Sequence, residues 1–414
     1  MPALAMLVLA FLEGLSVPLR ADSDLDQHLL LRAVSAGLQE PTVTEPVYGP
    51  LGRQPEAYLG QAPVYAHRWD DADQASLRWY GGWDPVADLR LEWNLLGTWA
   101  QSSSGFAPAL QPLGRSAVLE REPYDAADWQ LQGVVDQLNL RWQTPSLSLV
   151  AGRQPVNLGQ NFYFSPLDLF QPFQPQQTYR DFRPGVDALR ATVSTGHFTQ
   201  FDALAVAGYK PVQEGSNATQ APLWLDGPQG QESALLRAQS GGDAWAFSAL
   251  GGRFDGQGVG GASVQLEGLG SSWILEGLCS QALDPFPTML SSTVQVTLGC
   301  ARQWNADWNT RVEISELASR NSSDVLKYAA GATWQASPLW TVSPAVLSLG
   351  DEGQFVGMVD AGWSSSENGS LHLIVELPIL FEASHGNAPP GAQPPPSQTE
   401  TYPTALSIDY RLEL

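Results

Sequence analysis

Few side chains in this sequence are arranged for bond-breaking chemistry. There is no HExxH, no GxSxG and no P-loop, and the five histidines (His28, His67, His197, His372, His385) lack metal-ligand spacing. Neither a metal nor a cofactor is required by any motif. A GxGxxG at Gly256, Gly258 and Gly261 sits in a Gly-rich connection between two strand-like segments and opens no helix, so a dinucleotide fingerprint is excluded. Asn217, Asn321 and Asn368 begin N-x-S/T triplets, which matter only in a eukaryotic secretory route. An enzyme would need a Ser nucleophile with a His partner, and His372 has no obvious one. What recurs instead is Arg and carboxylate at alternate positions of apolar segments. Arg141, Arg311, Glu92, Glu276, Glu313 and Glu376 fall opposite rows of Leu, Val and Trp, whereas Arg153 and Arg190 stand at segment ends where alternation assigns no face. Asp168, Arg180, Asp181 and Arg183 crowd one aromatic- and Pro-rich stretch. Opposed guanidinium and carboxylate groups on a wet wall sort ions and polar solutes by charge. The same residues could equally pair with one another and solvate that wall.

Strands must position them. From about residue 74 onward, segments of roughly ten residues alternate apolar and polar, separated by Gly, Pro, Asn, Asp and Ser clusters. In 89–95, Leu89, Leu91, Trp93 and Leu95 share one face and Arg90, Glu92 and Asn94 the other; 371–382 and 406–414 repeat the pattern. Seventeen such segments can be counted. Short connections at Thr144-Pro145, Gly196-His197 and Asn305-Ala306-Asp307 contrast with long ones at 102–129, 156–185, 210–230 and 383–404. Short turns at one end and long loops at the other mark a transmembrane β-barrel, and parity then demands one more strand within 22–70, giving eighteen. Closure also removes sheet edges. A propeller would repeat every forty to fifty residues, and no such repeat exists; a pair of sandwich domains remains the soluble alternative. Aromatic residues near segment ends (Trp79, Tyr80, Trp83, Trp99, Trp142, Trp304, Trp308, Trp334, Trp340, Trp363) fit an interfacial girdle.

Composition agrees. The 414 residues carry 21 basic and 43 acidic side chains, a net charge of −22, which excludes a nucleic-acid binder. With 43% apolar residues, 15 Trp, 39 Gly and only 15% charged, the chain is neither disordered nor helical. Residues 2–18 are the one long apolar helix-like run, too short to span a bilayer and interrupted by Glu13, so 1–21 reads as a secretory signal despite lacking a basic start. The domain organisation is then a signal at 1–21, a periplasmic N-terminal extension with a first strand at 22–70, and a barrel at 71–414. Acidic clusters at Asp22, Asp24, Asp26 and at Asp70, Asp71, Asp73 read as solvated surface, with divalent bridging to lipopolysaccharide as the alternative. The Pro-rich stretch 388–403 reads as an extracellular loop within 383–404. Two cysteines exclude a disulfide scaffold. Parity puts Cys279 and Cys300 on the apolar face of neighbouring strands, and a register centred near 289–290 would place them opposite for a cross-strand disulfide. Two free lipid-facing thiols are the other arrangement.

The most informative stretch is 149–191. Gly152-Arg153-Gln154, then Gly159, Ser-Pro-Leu-Asp-Leu-Phe-Gln-Pro-Phe at 165–173 and the Arg-rich return into 185–190 resemble outer-membrane porin-like barrels of Gram-negative bacteria, including alginate-export-type and related families. The resemblance implies a barrel of sixteen to eighteen strands in the outer membrane, in contact with lipid and lipopolysaccharide, passing ions or small polar solutes, with a homotrimer as one assembly. Such barrels usually end in an aromatic residue, whereas this chain ends in Leu414. On composition, Leu167, Leu169, Phe170 and Phe173 can anchor loop 156–185 to the wall while Asp168, Arg180, Asp181 and Arg183 face the lumen as a constriction. A non-conducting accessory barrel plugged by its own loop is the alternative.

Overall fold

The computed structural model describes residues 25–43, 65–102, 114–116, 124–126, 129–170, 173, 175, 180–196, 198–211, 231–282, 292–319, 325–348, 354–364, 368–380 and 404–413. Its strands are β1 Leu25–Val43, β2 Tyr65–Val86, β3 Leu89–Ser102, β4 Gly114–Ser116, β5 Tyr124–Ala126, β6 Trp129–Gln143, β7 Leu147–Gln154, β8 Val186–Ser194, β9 Gln200–Pro211, β10 Gln231–Gly242, β11 Trp245–Phe254, β12 Gln257–Gly268, β13 Ser271–Ala282, β14 Ser292–Gln303, β15 Trp308–Ser319, β16 Val325–Ser337, β17 Trp340–Ser348, β18 Gln354–Ser364, β19 Gly369–Leu380 and β20 Thr404–Glu413. Every pairing is antiparallel, and β1 bonds to both β2 and β20, so the sheet closes on itself. Setting aside the three-residue β4 and β5, which extend β9 and β6, eighteen strands form the ring.

Alternation turns the usual globular burial inside out. Leu275, Leu298, Ile314, Leu373 and Ile408 are exposed on the outer surface, while Asn94, Thr98, Ser248, Ser263, Thr297 and Ser315 are buried inside. An outer apolar surface of this kind is stable only against lipid. Exposed tryptophans gather toward the short-turn end: Trp142, Trp245, Trp273, Trp308, Trp334, Trp340 and Trp363 lie within four residues of it, and Trp308–Trp334 and Trp340–Trp363 stack across strands. The opposite end carries the long connections together with a few short ones, the tightest at 255–256. Asp255 (φ 45°) and Gly256 (φ 77°) make a two-residue turn of the kind that suits strand twist. The GxGxxG glycines therefore belong to this hairpin and to β12, as their setting in a Gly-rich connection implied.

One expectation needs correction and another is met. The additional strand that parity demanded within 22–70 is β1, Leu25–Val43, and it seals the ring against β20. The cysteines are free: Cys279 faces Val294 and Cys300 faces Trp273, so the disulfide does not form. The two lie six positions apart along the ladder, about 20 Å at strand rise. The signal at 1–21 and nearly all of 383–404 lie outside the described residues.

Candidate functional site

The described residues of the stretch 155–185 leave β7, pack on the inner wall and return into β8. Its departure is set by Gly152, whose φ of 115° breaks the alternation just before Arg153 and whose missing Cβ would lie 2.4 Å from the Leu138 carbonyl oxygen. Val156, Leu158, Leu167 and Phe170 are buried against Val186, Leu204, Val206, Tyr209, Leu235, Leu250 and Val259 of the inner wall. Phe164 packs separately on Ala329, Leu347 and Met358. Each such side chain contributes about 1.5–3 kcal/mol by leaving water, so the part of the loop from Val156 to Phe170 is anchored in the lumen. Leu167, Leu169 and Phe170 anchor as the composition suggested, whereas Phe173 lies instead among arginines. Val156, Leu158 and Phe164 are further anchors that the sequence reading missed, although their apolar character in a polar stretch was the available signal.

Glu276 and Glu313 have the inward orientation that parity gave them, but neither projects its charge into water. Glu276 is 0% exposed and accepts the Gln160 amide at 2.5 Å and the Ser165 hydroxyl at 2.6 Å. Glu313, 1% exposed, accepts the backbone amides of Phe162, Tyr163 and Phe164 at 2.7, 2.8 and 2.9 Å. Two carboxylates thus satisfy the backbone of a segment that has no strand partner, as buried amides require.

Most other candidates are matched in pairs. Arg153, 1% exposed, grips both oxygens of Asp187 at 3.0 and 2.9 Å and donates to the Val135 carbonyl. Arg190 meets Asp202 at 2.9 Å, and Arg141 meets Glu92 at 3.2 Å. Within the loop, Arg183 pairs with Asp168 at 2.5 Å, and Asp181 is exposed. Burial pushes the Asp168 carboxyl above the usual carboxylate range, with Arg183 pulling the other way. A pair the sequence did not reveal, Arg78 with Asp136, is buried where β6 slips its register against β3 beside Asp136. A bulge of this sort hides a residue's face from any alternation argument. Phe182 on the loop's return lies 4.3 Å from the Arg78 guanidinium and edge-on to Tyr80, on which His28 stacks.

Arg311 is different. Among the described residues it makes no ion pair, and its guanidinium lies 4.0 Å from the centre of the Phe162 ring. Arg180 lies 4.0 Å from the same ring and 5.8 Å from Phe173, and Arg183 lies 4.7 Å from Phe173. Three guanidinium groups and two phenyl rings therefore form one continuous cation–π cluster. Arg180 also donates to the carbonyls of Phe162 and Pro175. Burial draws Arg180 down to about 10, which leaves it charged at neutral pH, and burial raises the Tyr163 phenol. The cluster borders a cavity of about 370 Å³ that is also lined by Asn157, Gln160, Tyr163 and Ser272. Half-way round the ring from β10, which carries the partly buried Arg237, β19 carries Glu376. Among the described residues no group of His, Cys, Asp and Glu could hold a metal ion.

The geometry defines a closed eighteen-strand barrel with a loop folded into its lumen. No family model matches the chain, and no curated protein matches it in sequence. Solved structures match it in fold. A BenF-like porin from Pseudomonas fluorescens Pf-5 is 10% identical, with a TM-score of 0.57 over 95% of this chain and 99% of that one. Pseudomonas aeruginosa OccK2 (OpdF) in complex with glucuronate is 9% identical, with a TM-score of 0.56 over 95% and 98%. Acinetobacter baumannii OccAB1 is 8% identical, with a TM-score of 0.53 over 94% and 96%. The likeness is to the porin-like barrel, and it does not single out the alginate-export type.

Proposed function

We propose that this chain is an outer-membrane porin of a Gram-negative bacterium that passes ions and small hydrophilic solutes, anionic ones in preference, past a constriction made by the loop at 155–185. The observation that carries this reading is the Arg311–Phe162–Arg180–Phe173–Arg183 cluster beside a cavity of about 370 Å³. Its rings hold guanidinium groups in place without neutralising them, so Arg311, which makes no ion pair among the described residues, offers a positive charge to a passing solute in a lining that also holds Asp168 and Glu313. Matched pairs elsewhere on the wall, Glu92 with Arg141 and Asp202 with Arg190, keep those strands polar at little net charge. Glu376, on the far side of the ring from Arg237, gives the lumen field a transverse sense. A sugar carboxylate such as the glucuronate held by OccK2 has the chemistry that suits this lining.

The apolar outer face with its tryptophan rim supports residence among lipids, with lipopolysaccharide as the outer neighbour. Residues 1–21 would serve as the export signal, and association of three barrels belongs to the same reading. Export of a polymer such as alginate fits less well, because the loop is packed and hydrogen-bonded inside the lumen rather than held clear of it. The test is single-channel conductance of the refolded mature chain in a planar bilayer, with reversal potential under a salt gradient. Stable steps with an anion-selective potential are expected. A folded barrel that stays silent until residues 160–180 are deleted would overturn passage in favour of a plugged accessory barrel.

A further inference from the structure

Five consecutive strands of the inner wall carry an alternating row at the loop: Gly261 on β12, Glu276 on β13, Gly299 on β14, Glu313 on β15 and Gly331 on β16. The glutamates bind the loop, as described, and the glycines leave room for it. A Cβ at Gly331 would lie 2.1 Å from the Tyr163 hydroxyl oxygen, one at Gly299 would lie 2.2 Å from Asn161 Oδ1, and one at Gly261 would lie 2.5 Å from Leu167 Cδ2. Ordinary contact between such atoms needs about 3.5–4.0 Å. Even one methyl group at any of the three therefore forces a shift of an ångström or more.

We propose that Gly261, Gly299 and Gly331 are sockets that set how far the loop stands from the wall, so that the opening past the arginine cluster is specified by side chains absent from the barrel as much as by those present on the loop. The consequence for passage rests on the porin reading; the seating of the loop does not. The argument is strongest at Gly331, which lies directly across from Arg311 on the neighbouring strand. Tyr163 cannot give way freely there. Its backbone amide is held by Glu313, its ring packs edge-on against Phe162 at 4.9 Å, and Phe164 lies beyond it at 6.5 Å. A displaced Tyr163 must move Phe162, and Phe162 is the ring on which both Arg311 and Arg180 rest. Gly299 lies directly across from Glu313 in the same way, and thus beside the second fastening point.

Glycines in a strand can also serve curvature alone, and a double-mutant cycle separates the two roles. Gly331→Ala adds the methyl group, and Tyr163→Phe removes the atom it would strike. In the refolded full chain, amide exchange at 162–164 should speed up about tenfold in Gly331→Ala, the equivalent of roughly 1.4 kcal/mol, with an altered conductance step. In Gly331→Ala/Tyr163→Phe both should return to the values of Tyr163→Phe alone. Wild-type exchange in Gly331→Ala, or a double variant no better protected than Gly331→Ala, would overturn the proposal. Should Gly331→Ala fail to fold, as read from heat-modifiable gel mobility, Gly299→Ala with Asn161→Ala makes the same cycle. A wild-type barrel that conducts nothing would sink the porin reading while leaving the exchange cycle decisive for the sockets.

Discussion

Replacing Arg311 by Gln tests the electrostatic reasoning most directly. The side chain keeps a polar end, although it is shorter by two heavy atoms, and the charge disappears from the cavity. A small anion passing about 5 Å from the guanidinium gains roughly 0.8 kcal/mol at the dielectric of water and about 3 kcal/mol at an effective value of 20. The lumen lies between these limits, and Arg180 and Arg183 remain in the same cluster, so a loss of about 1–2 kcal/mol is the reasonable expectation. That corresponds to a five- to thirtyfold fall in anion permeability, and to a larger fall in the anion-to-cation ratio because the same charge repels cations. Screening supplies a second, independent mark. The Debye length is about 30 Å at 0.01 M salt and 3 Å at 1 M. The difference between variant and wild type should therefore be large in reversal potentials taken near 0.01 M and nearly vanish near 1 M. Arg311→Lys should retain most of the selectivity, because the charge survives although the flat contact with Phe162 does not. An unchanged potential in Arg311→Gln at low salt would refute the argument, as would a shift of equal size at both salt concentrations.

Other consequences can be checked alongside. Glu313→Gln exchanges a carboxylate that accepts three amides for a group with one acceptor oxygen and an opposed NH2, at a cost of about 2–3 kcal/mol; hydrogen exchange at Phe162, Tyr163 and Phe164 should accelerate about a hundredfold, with the barrel intact. Asp168 titrates above the usual carboxylate range because it is buried, so its contribution to stability is present below the unfolded value and lost as pH rises through the folded one. Acidification should accordingly neutralise Asp168 ahead of exposed carboxylates and raise anion preference, and Asp168→Asn should flatten that part of the pH profile of the reversal potential. Unreduced protein should label at both Cys279 and Cys300, whereas Val294→Cys should cross-link to Cys279 on oxidation, because those two positions are direct cross-strand neighbours.

Much of this architecture is local and was legible in the sequence. Alternation with a period of two assigns a face to each residue whatever the strand pairs with, so Leu89, Leu91, Leu373 and Ile408 were placed outside, and Glu92, Arg141, Glu276, Arg311 and Glu313 inside, before any partner was known. Counting segments and applying parity gave eighteen strands, because a barrel whose strands run up and down must return its end to its beginning. Register was not available in the same way. The pairing of β13 with β14 differs from the one that would join Cys279 to Cys300 by an even number of residues, and such a slip leaves every side chain on its own face. The apolar pattern is blind to it.

The site depended still more on tertiary structure. Sequence supplied the charged residues of the lumen but could not say which would remain charged toward the solute. Arg153 and Arg190 found Asp187 and Asp202 on adjacent strands, and Glu276 and Glu313 were taken up by the loop's own amides. Arg311 was left to rest on Phe162, a contact between residues 149 positions apart that exists only because the loop folds back through the barrel. Face is a property of two neighbouring peptide units. Free charge is a property of everything within a few ångströms, and only the closed ring brings those groups together.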